Sequence, residues 1–220
     1  MIAKLPWQSW LALALAAVAA ISLPIVSTDP GFGAATSLVI FALVLIGVAV
    51  PVLARTAVVE AIVLFVAAHG AAWLLIAGIA GHEGEATRAF FLLVAAAWLL
   101  AWRLATVLSA MKPRSRQAGW ALKLIVPAIF GVWILIIWEA VTRGAGIPFI
   151  LLPPPSAIGA KFAANLPILA ADVRQTIFKA VIAGYAIGCV SGFAVAILAD
   201  RFLFLRRGLM PIGNMVSALP

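Results

Sequence analysis

Residues 36–79 read TSLVIFALVLIGVAVPVLARTAVVEAIVLFVAAHGAAWLLIAGI. Over that length only Arg55, Glu60 and His69 have ionisable side chains, and Arg55 falls where the apolar run divides in two. A helix rises ~1.5 Å per residue and the hydrocarbon core of a bilayer is ~30 Å thick, so roughly 20 mostly apolar residues cross it. The stretch therefore reads as two membrane crossings joined by a short turn.

The same texture extends in both directions. The 220 residues are 66% hydrophobic and 10% charged, with a mean hydropathy of +1.21, whereas a soluble domain is about half apolar and about a quarter charged. Six spans are expected, at about Trp7–Val26, Thr36–Ala54, Ala57–Ile79, Ala89–Leu108, Trp120–Val141 and Phe178–Ala199. The fold class is thus all-α, a polytopic transmembrane bundle with no room for a separate soluble domain. The first span has the look of a signal peptide, with Lys4 ahead of it and Ala17-Val18-Ala19 as a cleavage site. Its apolar run continues through Ile21, Leu23, Ile25 and Val26, however, which favours an uncleaved helix ending at the turn cluster Ser27-Thr28-Asp29-Pro30-Gly31.

A net charge of +8 in a soluble protein would point to nucleic acid. Here the basic residues lie between apolar runs, where they set orientation and meet anionic membrane lipid, so nucleic acid is not an expected partner. With the N-terminus cytoplasmic, Lys4, Arg55, Arg103, Lys112, Arg114, Arg116, Lys123, Arg201, Arg206 and Arg207 fall inside, and only Arg88, Arg143, Lys161, Arg174 and Lys179 outside. The positive-inside rule selects that orientation. Trp7, Trp10, Trp102, Trp120 and Trp138 fall near span ends, as interfacial anchors do, while Trp73, Trp98 and Trp133 lie deeper.

The longest external connection is expected between the last two spans, from about Thr142 to Ile177. Its prolines Pro153-Pro154-Pro155 break any helix, and Ser156 is placed to cap a new helix beyond them. Ile158, Phe162, Leu166 and Leu169 then form one apolar stripe, the pattern of a short interfacial helix that Pro167 interrupts.

Three features in order carry a family resemblance: Trp138-Glu139 closing a span, then Pro148-Phe149-Ile150-Leu151-Leu152-Pro153-Pro154-Pro155-Ser156-Ala157, then a helix with Gly184, Gly188 and Gly192 leading to a basic loop at Arg201, Arg206 and Arg207. From about Gly119 onward the chain resembles the permease subunit of a bacterial ATP-binding-cassette importer of the nitrate/sulfonate/taurine type. The closing Pro211 and Ser217-Ala218-Leu219-Pro220 resemble the start of that family's next span. The resemblance implies an inner-membrane transport component working with ATPase subunits, a periplasmic solute-binding protein and a second permease copy or homologue. It divides the chain into a four-helix membrane extension, residues 1–118, and the start of the permease core, residues 119–220. The family's coupling segment would lie beyond Pro220, so the chain is expected to be an N-terminal fragment or a truncated reading frame. A membrane scaffold and a secondary transporter are the alternatives, although no inverted repeat supports the latter.

Catalytic chemistry is not expected. His82-Glu83-Gly84-Glu85 opens like a zinc-protease motif but has Ala86 where the second histidine belongs. With two histidines, one cysteine and no glycine-rich phosphate loop, neither a metal nor a cofactor is expected in this chain, and ATP would be hydrolysed by a partner. Cys189 reads as a small packing residue. Three candidate sites remain. His69 lies mid-span, as an interhelical hydrogen bond or a polar lining. Glu139 stands four residues before Arg143, as an exposed ion pair or, by the resemblance, a gate or partner contact. Gly184, Gly188 and Gly192 form a small face for helix packing.

Overall fold

A computed structural model describes residues 5–28, 33–113 and 115–208. The turn expected at Asp29-Pro30-Gly31, the charges at Lys4 and Arg114, and the closing segment Met210–Pro220 lie outside the described residues. The chain is 81% helical, without a strand among the described residues. Among the described residues five helices are long and apolar enough to cross a membrane.

The helices are α1 (Trp7–Ile21), α2 (Ala34–Leu53), α3 (Ala57–Ile79), α4 (Arg88–Ala110), α5 (Arg116–Gly144), α6 (Pro155–Ala164), α7 (Leu166–Val173) and α8 (Ile182–Arg201), with a π-helical stretch, Arg174–Val181, between the last two. Polar residues between apolar runs start three of them. The Thr56 hydroxyl accepts from Val59 N at 3.3 Å, Thr87 from Ala89 N at 3.2 Å and Ser115 from Ala118 N at 3.1 Å. Each occupies an amide that the first helical turn would otherwise leave unpaired.

The first span is shorter than its apolar run. Helix α1 stops at Ile21 after 15 residues, about 22 Å at the helical rise, and is an apolar helix below spanning length. Pro24 lacks an amide donor and disfavours helical geometry at Leu23. Ile25 and Val26 instead form a bridge to the α3–α4 loop, with Val26 opposite Ala86 and Thr87 N donating to Ile25 O at 3.1 Å. They are buried by protein there.

The chain forms two compact units, Met1–Gly159 and Ala160–Pro220. In the first, α4 packs against α1, α3 and α5, and half of its apolar stretch is buried against 22% for α5. Close approach rests on small residues. Ala12, Ala16 and Ala19 of α1, Ala67, Ala68, Ala71 and Ala72 of α3, and Ala96, Ala97 and Ala101 of α4 are all buried. A Cβ on Gly47 of α2 would lie 2.6 Å from Leu100 Cδ1 and 3.1 Å from Ala67 Cβ. In lipid such faces supply the contact that holds helices together. This unit runs to Gly159, so α5 belongs with the four helices before it, through its contacts with α3 and α4.

In the second unit, α7, the π-helical stretch and α8 run on as one helix from Leu166 to Arg201, 36 residues with none of its apolar stretch buried. It begins twelve residues earlier than the expected Phe178. The expected interfacial helix is divided: α6 ends at Ala164, and α7 opens with Pro167 in its first turn, where a missing amide costs nothing. Asn165 closes the break, donating from its backbone N and its side-chain Nδ2 to Lys161 O at 3.1 and 2.8 Å.

Candidate functional site

At one end of the first unit the α1–α2 connection, the α3–α4 loop, the end of α5 and the start of α6 meet. Glu139 lies on the last turns of α5 and is 7% exposed. Its carboxylate accepts from Arg143 Nε at 2.5 Å, from Ser156 N at 2.8 Å and from Ser156 Oγ at 2.6 Å. Arg143 also donates from Nη2 to Ser156 Oγ at 3.0 Å and from Nη1 to Glu83 at 3.2 Å. The expected exposed ion pair is therefore a largely enclosed network that ties the α3–α4 loop and the proline segment to α5. The cap of α6 comes from Glu139 rather than from Ser156, which stands inside the helix with both its amide and its hydroxyl turned to the carboxylate.

The α3–α4 loop can reach α5 because two glycines let backbones touch. Gly84 and Gly146 both have positive φ, +89° and +61°, and a Cβ on Gly146 would lie 2.7 Å from Gly84 Cα. Gly84 N donates to Arg143 O at 2.8 Å across this contact. Beside it, Thr28 donates its hydroxyl to Glu85 and lies 3.2 Å from His82 Nδ1, which is itself 3.1 Å from Glu85. Ser27 N donates to Glu85 O at 3.0 Å. The Thr28 bond depresses the Glu85 carboxyl below its ordinary value near 4.5; desolvation opposes that shift and His82 adds to it.

Elsewhere, His69 in the middle of α3 has both ring nitrogens engaged. Nδ1 lies 2.9 Å from Phe65 O, and Nε2 accepts from Trp133 Nε1 of α5 at 3.2 Å. Those partners specify the neutral tautomer carrying its proton on Nδ1. Near the opposite end Arg103 of α4 pairs with Glu60 of α3 at 2.8 Å, a partner more distant in sequence than Arg55. The glycine face of α8 has open space at each position: a Cβ on Gly184, Gly188 or Gly192 would meet nothing within 4 Å. Cys189 is exposed on the same helix.

Charge separates along the first unit. Arg55, Arg103, Lys112, Arg116 and Lys123 gather with Glu60 at one end, while Arg88 and Arg143 share the other with Glu83, Glu85 and Glu139. Among the described residues no group of three or more His, Cys, Asp or Glu is placed to hold a metal. Chemically the Glu139 network is a strut that fixes the segment leading into α6.

Glu139 and Arg143 were visible in the sequence as neighbours on one helix face; Glu83 and Ser156 were not. They lie 60 and 13 residues from Arg143, and no local spacing announces such partners. No family model, curated protein or solved structure matches the chain.

Proposed function

We propose that the chain is the membrane-spanning permease subunit of an ATP-driven, binding-protein-dependent importer in a bacterial inner membrane, carrying a small solute of the nitrate, sulfonate or vitamin-precursor class. The observation that carries this reading is the bond set between Glu139 and Ser156. These residues belong to the two motif segments on which the resemblance to that permease family rests, Trp138-Glu139 and Pro153-Pro154-Pro155-Ser156. Seventeen positions apart in sequence, they are bonded in the fold, which supports reading the two segments as one element.

In this reading the chain moves solute without catalytic groups of its own, and ATP is hydrolysed by partner subunits. The unburied helix Leu166–Arg201, with its face of Gly184, Gly188 and Gly192, meets the second permease copy or homologue. The loop end held by Glu139 and Arg143 faces the periplasmic solute-binding protein, and the basic end faces the cytoplasm.

Two measurements test it. Mild-detergent purification of the tagged full-length gene product that carries this sequence, from its native membrane, should recover an ATP-binding-cassette ATPase in stoichiometric amount; recovery of other membrane proteins without an ATPase would favour a scaffold instead. Single cysteines at Thr28 and Ser115 fix the orientation, since an impermeant periplasmic reagent should reach Thr28→Cys and leave Ser115→Cys unlabelled. The reverse labelling would remove the orientation on which the transport reading depends.

A further inference from the structure

Between α4 and α5 lies a groove of about 540 Å³, lined by Trp98, Trp102 and Ala105 on one side and Pro127, Phe130 and Trp133 on the other. Its innermost wall is Trp133, 2% exposed, whose one polar atom is turned away into the bond with His69. Phe130 and Trp102 stand open at the mouth, 66% and 44% exposed. The groove lies within spanning helices, so its occupant is something apolar taken from the bilayer.

The rim says which. On α4 the groove-lining stripe Trp98, Trp102, Ala105 continues at helical spacing to Ser109, and Lys112 follows two residues past the helix end. On α5, Lys123 stands one turn, about 6 Å, before Pro127, and Arg116 lies two turns before Lys123. All three basic residues are exposed. None makes an ion pair with a described acidic residue, whereas Arg103 nearby is committed to Glu60. Three cations without a described acidic partner therefore lie toward one end of a largely apolar slot. Basic pockets between membrane helices hold anionic headgroups, and long basic side chains reach the interface while their stems stay in apolar surroundings.

We propose that this groove is a binding site for one anionic phospholipid, with an acyl chain between α4 and α5 and the phosphate held by Lys112, Arg116 and Lys123. The site belongs to the first compact unit alone and does not depend on the transport reading. It requires only that α4 and α5 cross a membrane. Exposed aromatic rings along a groove would otherwise meet disordered lipid; a resident chain gives them a fixed partner and holds Pro127, which leaves the Lys123 carbonyl without its helical amide.

The test is native mass spectrometry of the full chain titrated with dioleoyl phosphatidylglycerol or with dioleoyl phosphatidylcholine, which share their acyl chains. One bound phosphatidylglycerol should be retained with a preference on the order of a hundredfold over phosphatidylcholine, as three basic residues beside an anionic headgroup imply. The variant K112Q/R116Q/K123Q should bring that ratio close to one. Ala105→Trp, which fills the slot without altering charge, should weaken both lipids. Equal binding of the two lipids by the unaltered chain, a preference surviving in the triple variant, or undiminished binding in Ala105→Trp would each overturn the site.

Discussion

Trp133 of α5 donates its indole N–H to His69 Nε2 of α3 at 3.2 Å. It joins two helices separated in sequence by the whole of α4, at a depth where water is scarce. The other histidine nitrogen is taken by Phe65 O within α3, so one neutral tautomer satisfies the ring. The bond's net worth is modest all the same, because a chain unfolded within the bilayer also finds partners; interhelical hydrogen bonds in membranes contribute about 0.6 kcal/mol on average and about 1.7 at most.

A double-mutant cycle reads that coupling. His69→Ala and Trp133→Phe should each destabilise the bundle in a detergent-unfolding titration. Their coupling should be about 0.6 kcal/mol and no more than about 1.7. Additive effects within about 0.3 kcal/mol would show that the ring contact alone, and not the hydrogen bond, links the helices.

The Glu139 network should rank its members by enclosure. Glu139 takes three hydrogen bonds at 7% exposure, whereas Glu83 takes one from Arg143 and one from Gly81 N across a side chain that is 45% exposed. A hydrogen bond to a charged group contributes about 1.5–3 kcal/mol when protected from water. An exposed ion pair adds about 0–1 kcal/mol. Glu139→Ala should therefore cost about 2–3 kcal/mol and release the proline segment. Limited proteolysis between Ile147 and Ser156 should accelerate in that variant and remain near the original rate in Glu83→Gln. Equal cleavage in both would place the anchor elsewhere.

Two glycines predict opposite outcomes for similar substitutions. A Cβ on Gly47 would press on Leu100 and Ala67, so Gly47→Val overpacks the α2–α3–α4 contact and should cost about 1–3 kcal/mol. Gly188 faces open space. Gly188→Leu should leave the unfolding of the isolated chain within about 0.5 kcal/mol of the parent while lowering the yield of any assembly that uses that face. Thermal unfolding and complex recovery, measured on the same preparations, separate the two effects.

Those two glycines also mark what could be read before folding. Helices α2 to α5 were legible to within a few residues because Arg55-Thr56, the His82–Thr87 loop and the Lys112–Arg116 turn interrupt long apolar runs and supply caps. The end of α1 was not, since Ile25 and Val26 are as apolar against protein as against lipid, and Pro24 is what turns the chain out of the helix. Periodicity drew attention to Gly184, Gly188 and Gly192, yet the close packing of the first unit is made by alanines and Gly47. Alanine is common throughout apolar helices, so its spacing carries little signal. Of the enclosed network, Glu139 and Arg143 could be paired from their spacing, but Glu83 and Ser156 depend on chain reversals that only the fold supplies.

The second cluster at the loop end makes stability depend on acid. Glu85 takes the Thr28 hydroxyl and faces His82, and the first of these does most to hold its carboxyl below the ordinary value near 4.5. The unfolded chain then binds a proton more readily than the folded one, so stability from this site is complete above the unfolded value and disappears as the pH falls through the folded value. Glu85→Gln removes the titrating group. Its melting midpoint should lie below the parent's at neutral pH, and the gap should close in the acid range below the ordinary carboxylate value. At neutral pH, ~150 mM salt should leave most of the gap in place, since the Thr28 bond is not a charge pair. A gap that stays constant from neutral to acid pH would mean that the carboxyl's titration does not carry the effect, and no gap at any pH would leave Glu85 acting only through its backbone carbonyl, which accepts from Ser27.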